Sequence, residues 1–296
     1  MISKRSTMNK LFSPNKKNDR RLTLKANFED HCRFIESNDR LKESIKNSID
    51  KSLIMRYVIV VEDEYREDYK DGNVSVVNMR TMEAARIFGK DKKVAVLNFA
   101  SARNPGGMVK EGSSAQEESL CRCSTLYQVL SDKSLRGYYD TYKEVTNFMP
   151  YYTDKLIYSP DICIFGTDTY ISTIMPEHLW YNCDVITCAA PNMLHIVRAG
   201  EEIDKDKLCE VLVSRIINIV NSAIANKADV LVLGAFGCGV FKNPPDLVAK
   251  AFRKVLIDDN MKKYFDDVVF AIIDDNRGNG NLDTFATVLG NKSKEV

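Results

Sequence analysis

Two adjacent carboxylates stand at the head of a stretch with helical spacing, in Ser113-Ser114-Ala115-Gln116-Glu117-Glu118-Ser119-Leu120. Paired carboxyl groups can divide acid–base work, one orienting a sugar hydroxyl while the other transfers a proton. A plainer role is open to one of them. Ser114 and Glu117 have the spacing of a capping box, in which Glu117 would only bond the amide at the helix start; Glu118 has no such alternative.

Two glycine-bearing turns flank this segment in the chain. The first is Asn98-Phe99-Ala100-Ser101-Ala102-Arg103-Asn104-Pro105-Gly106-Gly107-Met108, after a strongly apolar strand candidate. Glycines there let backbone N–H groups approach an anion that a Cβ would obstruct, although an ordinary tight turn reads the same way. The second runs Gly234-Ala235-Phe236-Gly237-Cys238-Gly239-Val240-Phe241-Lys242-Asn243-Pro244, between an apolar strand and a helix. A glycine-rich turn of this kind presents unpaired amides to phosphate. It is neither a GxGxxG fingerprint nor a Walker loop, and two such turns at strand ends predict one diphosphate gripped from both sides.

The elements that must position these residues alternate in type. Strands are expected at 74–77, 93–100, 162–165, 184–190, 229–235 and 268–273. Helices are expected at 82–88, 207–225 and 245–257, and one from the carboxylates with Leu120, Cys123, Tyr127 and Leu130 on its apolar stripe. Alternation favours a central, largely parallel or mixed sheet with helices on both faces, and ligands at the carboxyl ends of its strands. Residues 22–56 read as two amphipathic helices broken near Ser37-Asn38-Asp39. The expected organisation is a basic flexible tail over 1–21, a helical accessory segment over 22–72 and a catalytic domain over 73–296.

The tail carries Lys4, Arg5, Lys10, Lys16, Lys17, Arg20 and Arg21 against one acid, Asp19, and reads as a solvated arm. Over the whole 296 residues the net charge is only +1, which argues against nucleic-acid binding by bulk electrostatics. A hydrophobic fraction of 44% with 28% charged residues is that of a globular chain with a core. The eight cysteines are too sparse for a disulfide framework. They are expected as reduced thiols in a cytoplasmic protein, with no membrane contact and no metal at Cys121 and Cys123. His31, His178 and His195 form no catalytic set, Trp180 reads as a packing residue, and Tyr138-Tyr139 and Tyr151-Tyr152 read as packing before pocket lining.

The run from Val96 to Tyr127 resembles the microbial-type poly(ADP-ribose) glycohydrolases, which are built on a macrodomain. That family's signature is three glycines, six to eight residues, then Gln-Glu-Glu. Here Gly106-Gly107-Met108 is followed by seven residues, Val109 to Ala115, and then Gln116-Glu117-Glu118. The spacing agrees, and Met108 replaces one glycine. The resemblance continues through Cys183-Asp184-Val185-Ile186-Thr187-Cys188-Ala189-Ala190-Pro191-Asn192 and through the second glycine turn, covering nearly everything after about residue 30.

The resemblance implies a three-layer α/β/α macrodomain-like fold with a central mixed sheet and an N-terminal helical extension. It also implies hydrolysis of ribose–ribose linkages in poly(ADP-ribose). Glu118 would protonate the leaving ribose oxygen and then activate water against an oxocarbenium-like centre, while Glu117 would hold ribose hydroxyls. Substrate contacts are implied for Asn104, Gly106, Gly107 and Gln116. Gly237, Cys238, Gly239, Val240 and Phe241 would hold the diphosphate, with Phe241 packed on the distal ribose. No cofactor and no metal is implied. The partner is ADP-ribose or poly(ADP-ribose) on a modified macromolecule, with nucleic acid only as an ADP-ribosylated substrate. A mono-ADP-ribosyl hydrolase and a non-catalytic ADP-ribose reader remain the alternatives.

Overall fold

In the strand Val94–Phe99 (β3) successive side chains leave on opposite faces, and both faces are buried. Ala95 and Leu97 join one apolar layer, Val94 and Val96 the other. The computed structural model describes residues 15–56, 69–70, 72–143, 150–274 and 280–290. Among these, seven strands form one mixed sheet, completed by β1 (Leu53–Met55), β2 (Asn73–Val77), β4 (Leu156–Ile164), β5 (Tyr181–Cys188), β6 (Val230–Leu233) and β7 (Asp267–Ala271). Their order is β1-β4-β5-β3-β6-β7-β2. The five strands from β5 to β2 are parallel, and β4 and β1 are antiparallel additions.

Helices cover both faces. Helix α8 (Lys205–Ala225) lays Leu208, Leu212, Ile216, Ile219 and Ala223 on one face, beside Phe252 of α9 (Pro245–Arg253) and Phe285 of α10 (Asn281–Leu289). The opposite layer is built by Met82, Ala84 and Ala85 of α3 (Thr81–Phe88), Leu120 and Cys123 of α4 (Gln116–Cys123), and Leu126, Val129 and Leu130 of α5 (Leu126–Leu130). Each fully buried Leu, Ile or Phe contributes about 1.5–3 kcal/mol. By length and composition α8 alone among the described helices is apolar enough to cross a membrane. Here its apolar stripe is spent on the sheet.

Several elements depart from the sequence expectation. The accessory segment is not purely helical: α1 (Asn15–Glu36) and α2 (Asp39–Lys51) form as expected, with Asn38 capping α2 through Leu41 N–H at 3.1 Å, but Leu53–Met55 is an edge strand paired with β4. Trp180 packs α1 onto the domain, edge-on to Phe34 and against Phe165. Of the expected tail, residues 15–21 are helical, while Lys4, Arg5 and Lys10 lie outside the described residues. Strand β4 is also longer than expected. The expected strand begins at Ile162, yet the sheet extends it back to Leu156 and absorbs Ser159-Pro160-Asp161 as a bulge, with Asp161 at φ 58° and its N–H held by the Asp184 carboxylate at 3.0 Å.

The helix expected from Gln116 to Leu130 is broken at Ser124. Ser124 bridges Ile164, Thr125 N–H bonds Cys163 O at 3.0 Å, and Ser124 Oγ bonds Leu120 O at 2.7 Å. The end of β4 thus takes the backbone groups that would have continued the helix.

One buried cation fixes the exit of β5. Arg215 of α8 is 0% exposed; it donates to Asp154 Oδ1 at 3.1 Å, Ala189 O at 2.9 Å and Tyr151 O at 2.6 Å. Arg215→Ala is expected to leave these acceptors unpaired and to lower unfolding free energy by about 3 kcal/mol. A urea titration measures it, and a loss under about 1 kcal/mol would show that the cluster is not holding this end of the sheet.

Candidate active site

Parallel strands put their carboxyl ends on one edge of a sheet. Because β5, β3 and β6 are neighbours, the segments that follow them (189–193, 100–108 and 234–243) are neighbours too. Helix α4 begins just after the first glycine turn and brings its first-turn carboxylates back to the end of β3. Its register is set by Gln116, whose Oε1 accepts from Phe99 N–H at 2.9 Å while Nε2 donates to Leu97 O at 2.8 Å and Thr81 Oγ1 at 3.3 Å. The amide therefore extends β3 by a side chain, and its geometry is that of a support.

Ala115, not Ser114, is the N-cap residue, so the capping box does not form. Glu117 points instead to the end of β3. Its Oε2 accepts from Ser101 N–H at 2.7 Å and its Oε1 from Asn98 Nδ2 at 3.4 Å, while Asn98 also donates to Thr187 Oγ1 at 3.2 Å. Glu118 Oε1 accepts from Met108 N–H at 3.0 Å, and its Oε2 is buried with no partner among the described residues. Exposures of 3% and 6% make this a buried pair of acids.

Burial pushes the Glu117 carboxyl up to about 8, reinforced by the charge of Glu118 and opposed by the N–H groups of Ser101 and Gly106 and by Asn98. Near neutrality Glu117 therefore keeps its proton. Neighbouring thiols add no further charge, since burial holds both Cys121 and Cys123 well above their ordinary value.

The first glycine turn approaches these acids directly. Gly107 has φ +61°, and a Cβ there would stand 2.6 Å from Glu118 Oε1 and 3.0 Å from Glu117 Oε2. Gly106, at φ +67°, lies on Tyr127 and Cys121. The amides at its glycines are taken: Gly106 bears on Glu117, Gly107 bonds Asn104 O at 3.0 Å, and Met108 bonds Glu118. The anion served by Gly106 and Met108 is the protein's own carboxylate pair, where the expectation was that these glycines present amides to phosphate. Met108 has φ −114°, which needs no glycine, and its side chain is 47% exposed. Asn104 is exposed at the same rim, its N–H held by Ser101 Oγ at 3.1 Å.

The second turn is built differently. Asn243 Nδ2 bonds Pro191 O at 2.7 Å and Gly237 O at 3.0 Å, and Met193 N–H bonds Phe241 O at 2.8 Å, tying the turn to the exit of β5. Gly237, at φ +73°, packs on Asn243 and Ala190 with no room for a Cβ. The N–H of Cys238 closes a turn on Ala235 O. Three successive N–H groups, those of Gly239, Val240 and Phe241, have no acceptor among the described residues. A Cβ on Gly239 would meet nothing within 4 Å. Consecutive open amides are an anion nest. Phe241 stands near Tyr152, ring centres 6.4 Å apart.

Sequence reasoning singled out the acids and turns but missed Asn98, Ser101, Thr187, Asn243 and Arg122. A polar Asn98 inside an apolar strand was a readable signal, as was the i, i+4 spacing of Glu118 and Arg122. The remaining candidates are structural: His31 donates to or accepts nothing in this site but bonds Arg122 O at 2.6 Å, and Tyr138 and Tyr139 are each 1% exposed. Two surface cavities, of about 600 and about 450 Å³, include neither carboxylate. The site is marked by its chemistry rather than by cavity size. Among the described residues no cluster of metal-ligating side chains occurs.

The raised Glu117 carboxyl has a consequence for stability. Below 4.5 native and unfolded chains both hold the proton; as pH rises the unfolded chain releases it while the native chain keeps it to about 8. Stability is therefore lost across that window and the loss is complete above it. Glu117→Gln is expected to raise the melting temperature relative to the parent increasingly between about pH 5 and about pH 8. A constant difference over that range would show that Glu117 is not a buried neutral acid.

The family described as microbial-type PARG, catalytic domain, matches residues 27–167. Comparison with curated proteins gives no significant match. The structure of poly(ADP-ribose) glycohydrolase (PARG) from Thermomonospora curvata is 28% identical over 90% of this chain and 100% of its own, with a TM-score of 0.78. Its complex with the inhibitor ADP-HPD gives 29% identity, 90% and 99% coverage and a TM-score of 0.77. The enzyme from Deinococcus radiodurans in complex with ADP-ribose is 30% identical over 83% of this chain and 96% of its own, with a TM-score of 0.71. The mixed seven-stranded sheet with its flanking and N-terminal helices is thus the macrodomain-like fold expected from the sequence. The chain belongs to the microbial-type poly(ADP-ribose) glycohydrolase family.

Proposed function

We propose that the protein hydrolyses the ribose–ribose O-glycosidic bonds of poly(ADP-ribose), with Glu118 as general acid and then base and Glu117 as the group that holds ribose hydroxyls. The observation that carries this reading is the juxtaposition, at one edge of the sheet, of a buried carboxylic acid pair with a nest of three open amides. The nest suits a diphosphate. The acids suit a glycosidic oxygen that must accept a proton and a water that must later lose one. Homologues of this fold bind ADP-ribose and ADP-HPD, which supports an ADP-ribosyl substrate.

In this reading the diphosphate is held by Gly237, Cys238, Gly239, Val240 and Phe241, with Phe241 against the distal ribose and Asn104 contacting it from the opposite rim. Gly106 and Gly107 contribute by fixing the acids. Protonation of the leaving ribose oxygen lets the anomeric centre develop oxocarbenium character, and the carboxylate left behind takes a proton from the attacking water. Met108, exposed where the family signature has a glycine, favours a second reading in which mono-ADP-ribosylated protein or nucleic acid is the substrate.

Three measurements test this. Incubation with poly(ADP-ribose) and, separately, with mono-ADP-ribosylated protein or DNA should release ADP-ribose from the polymer; release from the second substrates alone would select the mono-ADP-ribosyl reading, and release from neither would leave a reader. Glu118→Gln should keep ADP-ribose affinity and lose turnover by about 100- to 10,000-fold, whereas full activity would end the proposed mechanism. Because a side chain on Gly239 meets open space, Gly239→Val should fold normally and bind ADP-ribose more weakly in calorimetry. Unchanged affinity would mean that the nest does not hold the diphosphate.

A further inference from the structure

Arg122 is 1% exposed and lies one helical turn beyond Glu118 on α4. Residues four apart share a helix face. A guanidinium cannot shed its charge at ordinary pH, so complete burial demands a compensating acid. No carboxylate lies within ion-pairing distance among the described residues, and both Arg122 Nε and Glu118 Oε2 are buried without a partner. The acid that acts most strongly on Arg122 is Glu118; the other groups that bear on it are Cys123, Cys121 and Tyr170. The thiols are held protonated by burial. The acid left to compensate Arg122 is therefore Glu118.

A chain of hydrogen bonds runs from the same guanidinium. Arg122 Nη1 donates to Ser113 O at 2.6 Å, Ser113 N–H donates to Met108 O at 3.1 Å, and Met108 N–H donates to Glu118 Oε1 at 3.0 Å. Glu118 and Arg122 then close the ring through α4. The carbonyl of Arg122 is bonded in turn by the His31 ring at 2.6 Å, which ties the ring to α1.

We propose that Arg122 is a positioning residue for Glu118: it locks the glycine turn around that carboxylate and supplies the positive charge that balances it. This rests on the hydrolytic reading above for its catalytic consequence, but not for the pairing itself. The cation of Arg122 steadies the carboxylate that Glu118 becomes after giving its proton to the leaving oxygen. A buried arginine serving only to fill space would not.

The test uses the full chain with Arg122→Met and Arg122→Lys. Arg122→Met is expected to lower kcat by up to about 100-fold with little change in KM, because the acid is displaced while the nest is intact. The alkaline limb of kcat/KM should move about one pH unit higher, since removing a cation makes the pair harder to ionise. Arg122→Lys keeps the charge and should keep the limb where it is in the parent. A folded Arg122→Met enzyme with the parent's kcat and pH profile overturns the proposal, as does an Arg122→Lys profile that moves with Met.

Melting temperatures of Glu118→Gln, Arg122→Met and the double variant give a readout without substrate. Glu118→Gln strands the buried cation, so Arg122→Met should cost less in that background than alone, a coupling of several degrees. Should Arg122→Met fail to fold, recovery in the double variant is expected. Strictly additive losses, or no recovery, overturn the pairing. A parent enzyme that leaves poly(ADP-ribose) intact while the coupling persists removes the hydrolytic reading and leaves the pairing standing.

Discussion

Two carboxylic acids side by side in a buried helix turn are an unfavourable arrangement unless oriented donors surround them. Here Glu117 and Glu118 are met by Ser101 N–H at 2.7 Å and Met108 N–H at 3.0 Å, and one of them stays protonated near neutrality. The rest of the local structure serves that constraint. Gly107 has to lack a Cβ because its backbone lies against both acids, and the 100–108 segment has to fold back so that the amides of Ser101, Gly106 and Met108 reach them. Gln116 fixes the angle at which α4 leaves β3, and so decides where the acids stand.

The two glycine turns look alike in sequence and do opposite work. Amides of the first are consumed inside the protein, which rigidifies the acids; amides at the tip of the second are open, which leaves them for an anion. The division follows from which segments neighbour each turn. The first meets the start of α4 and its carboxylates. The second meets only carbonyl and amide groups of the β5 exit, so Asn243 and Met193 fix its base while its tip stays unpartnered. That the open amides and the buried acids lie on neighbouring segments follows from the sheet order β5-β3-β6.

Charge is handled by burial with few partners. Arg215, 0% exposed, anchors the β5 exit through Asp154 and two carbonyls, while Arg122 lies one helical turn beyond Glu118 and bonds Ser113 O. Both cations sit where a loop leaves the sheet edge. Losing either leaves a buried acceptor or acid uncompensated, which costs more than the loss of an exposed ion pair. Surface pairs such as Lys25–Glu29 contribute little by comparison.

Periodicity and composition determined the α/β alternation, the positions of the two glycine turns and the carboxylates, and the near-boundaries of most elements, because those are set by local burial patterns that a sequence displays. The spacing of Gly106-Gly107-Met108 and Gln116-Glu117-Glu118 also sufficed to place the chain in its family. Tertiary structure decided the rest. It broke the expected helix at Ser124, turned Leu53–Met55 into an edge strand and absorbed Pro160 and Asp161 as a bulge, since the partner strand, β4 in the first two cases and β5 in the third, is distant in sequence. It also chose between a capping role and a buried acid for Glu117. That choice depends on Asn98, Ser101 and Thr187 meeting at the end of β3, and Asn98 and Thr187 are 89 residues apart. Local spacing cannot encode such a meeting; the register of parallel strands does.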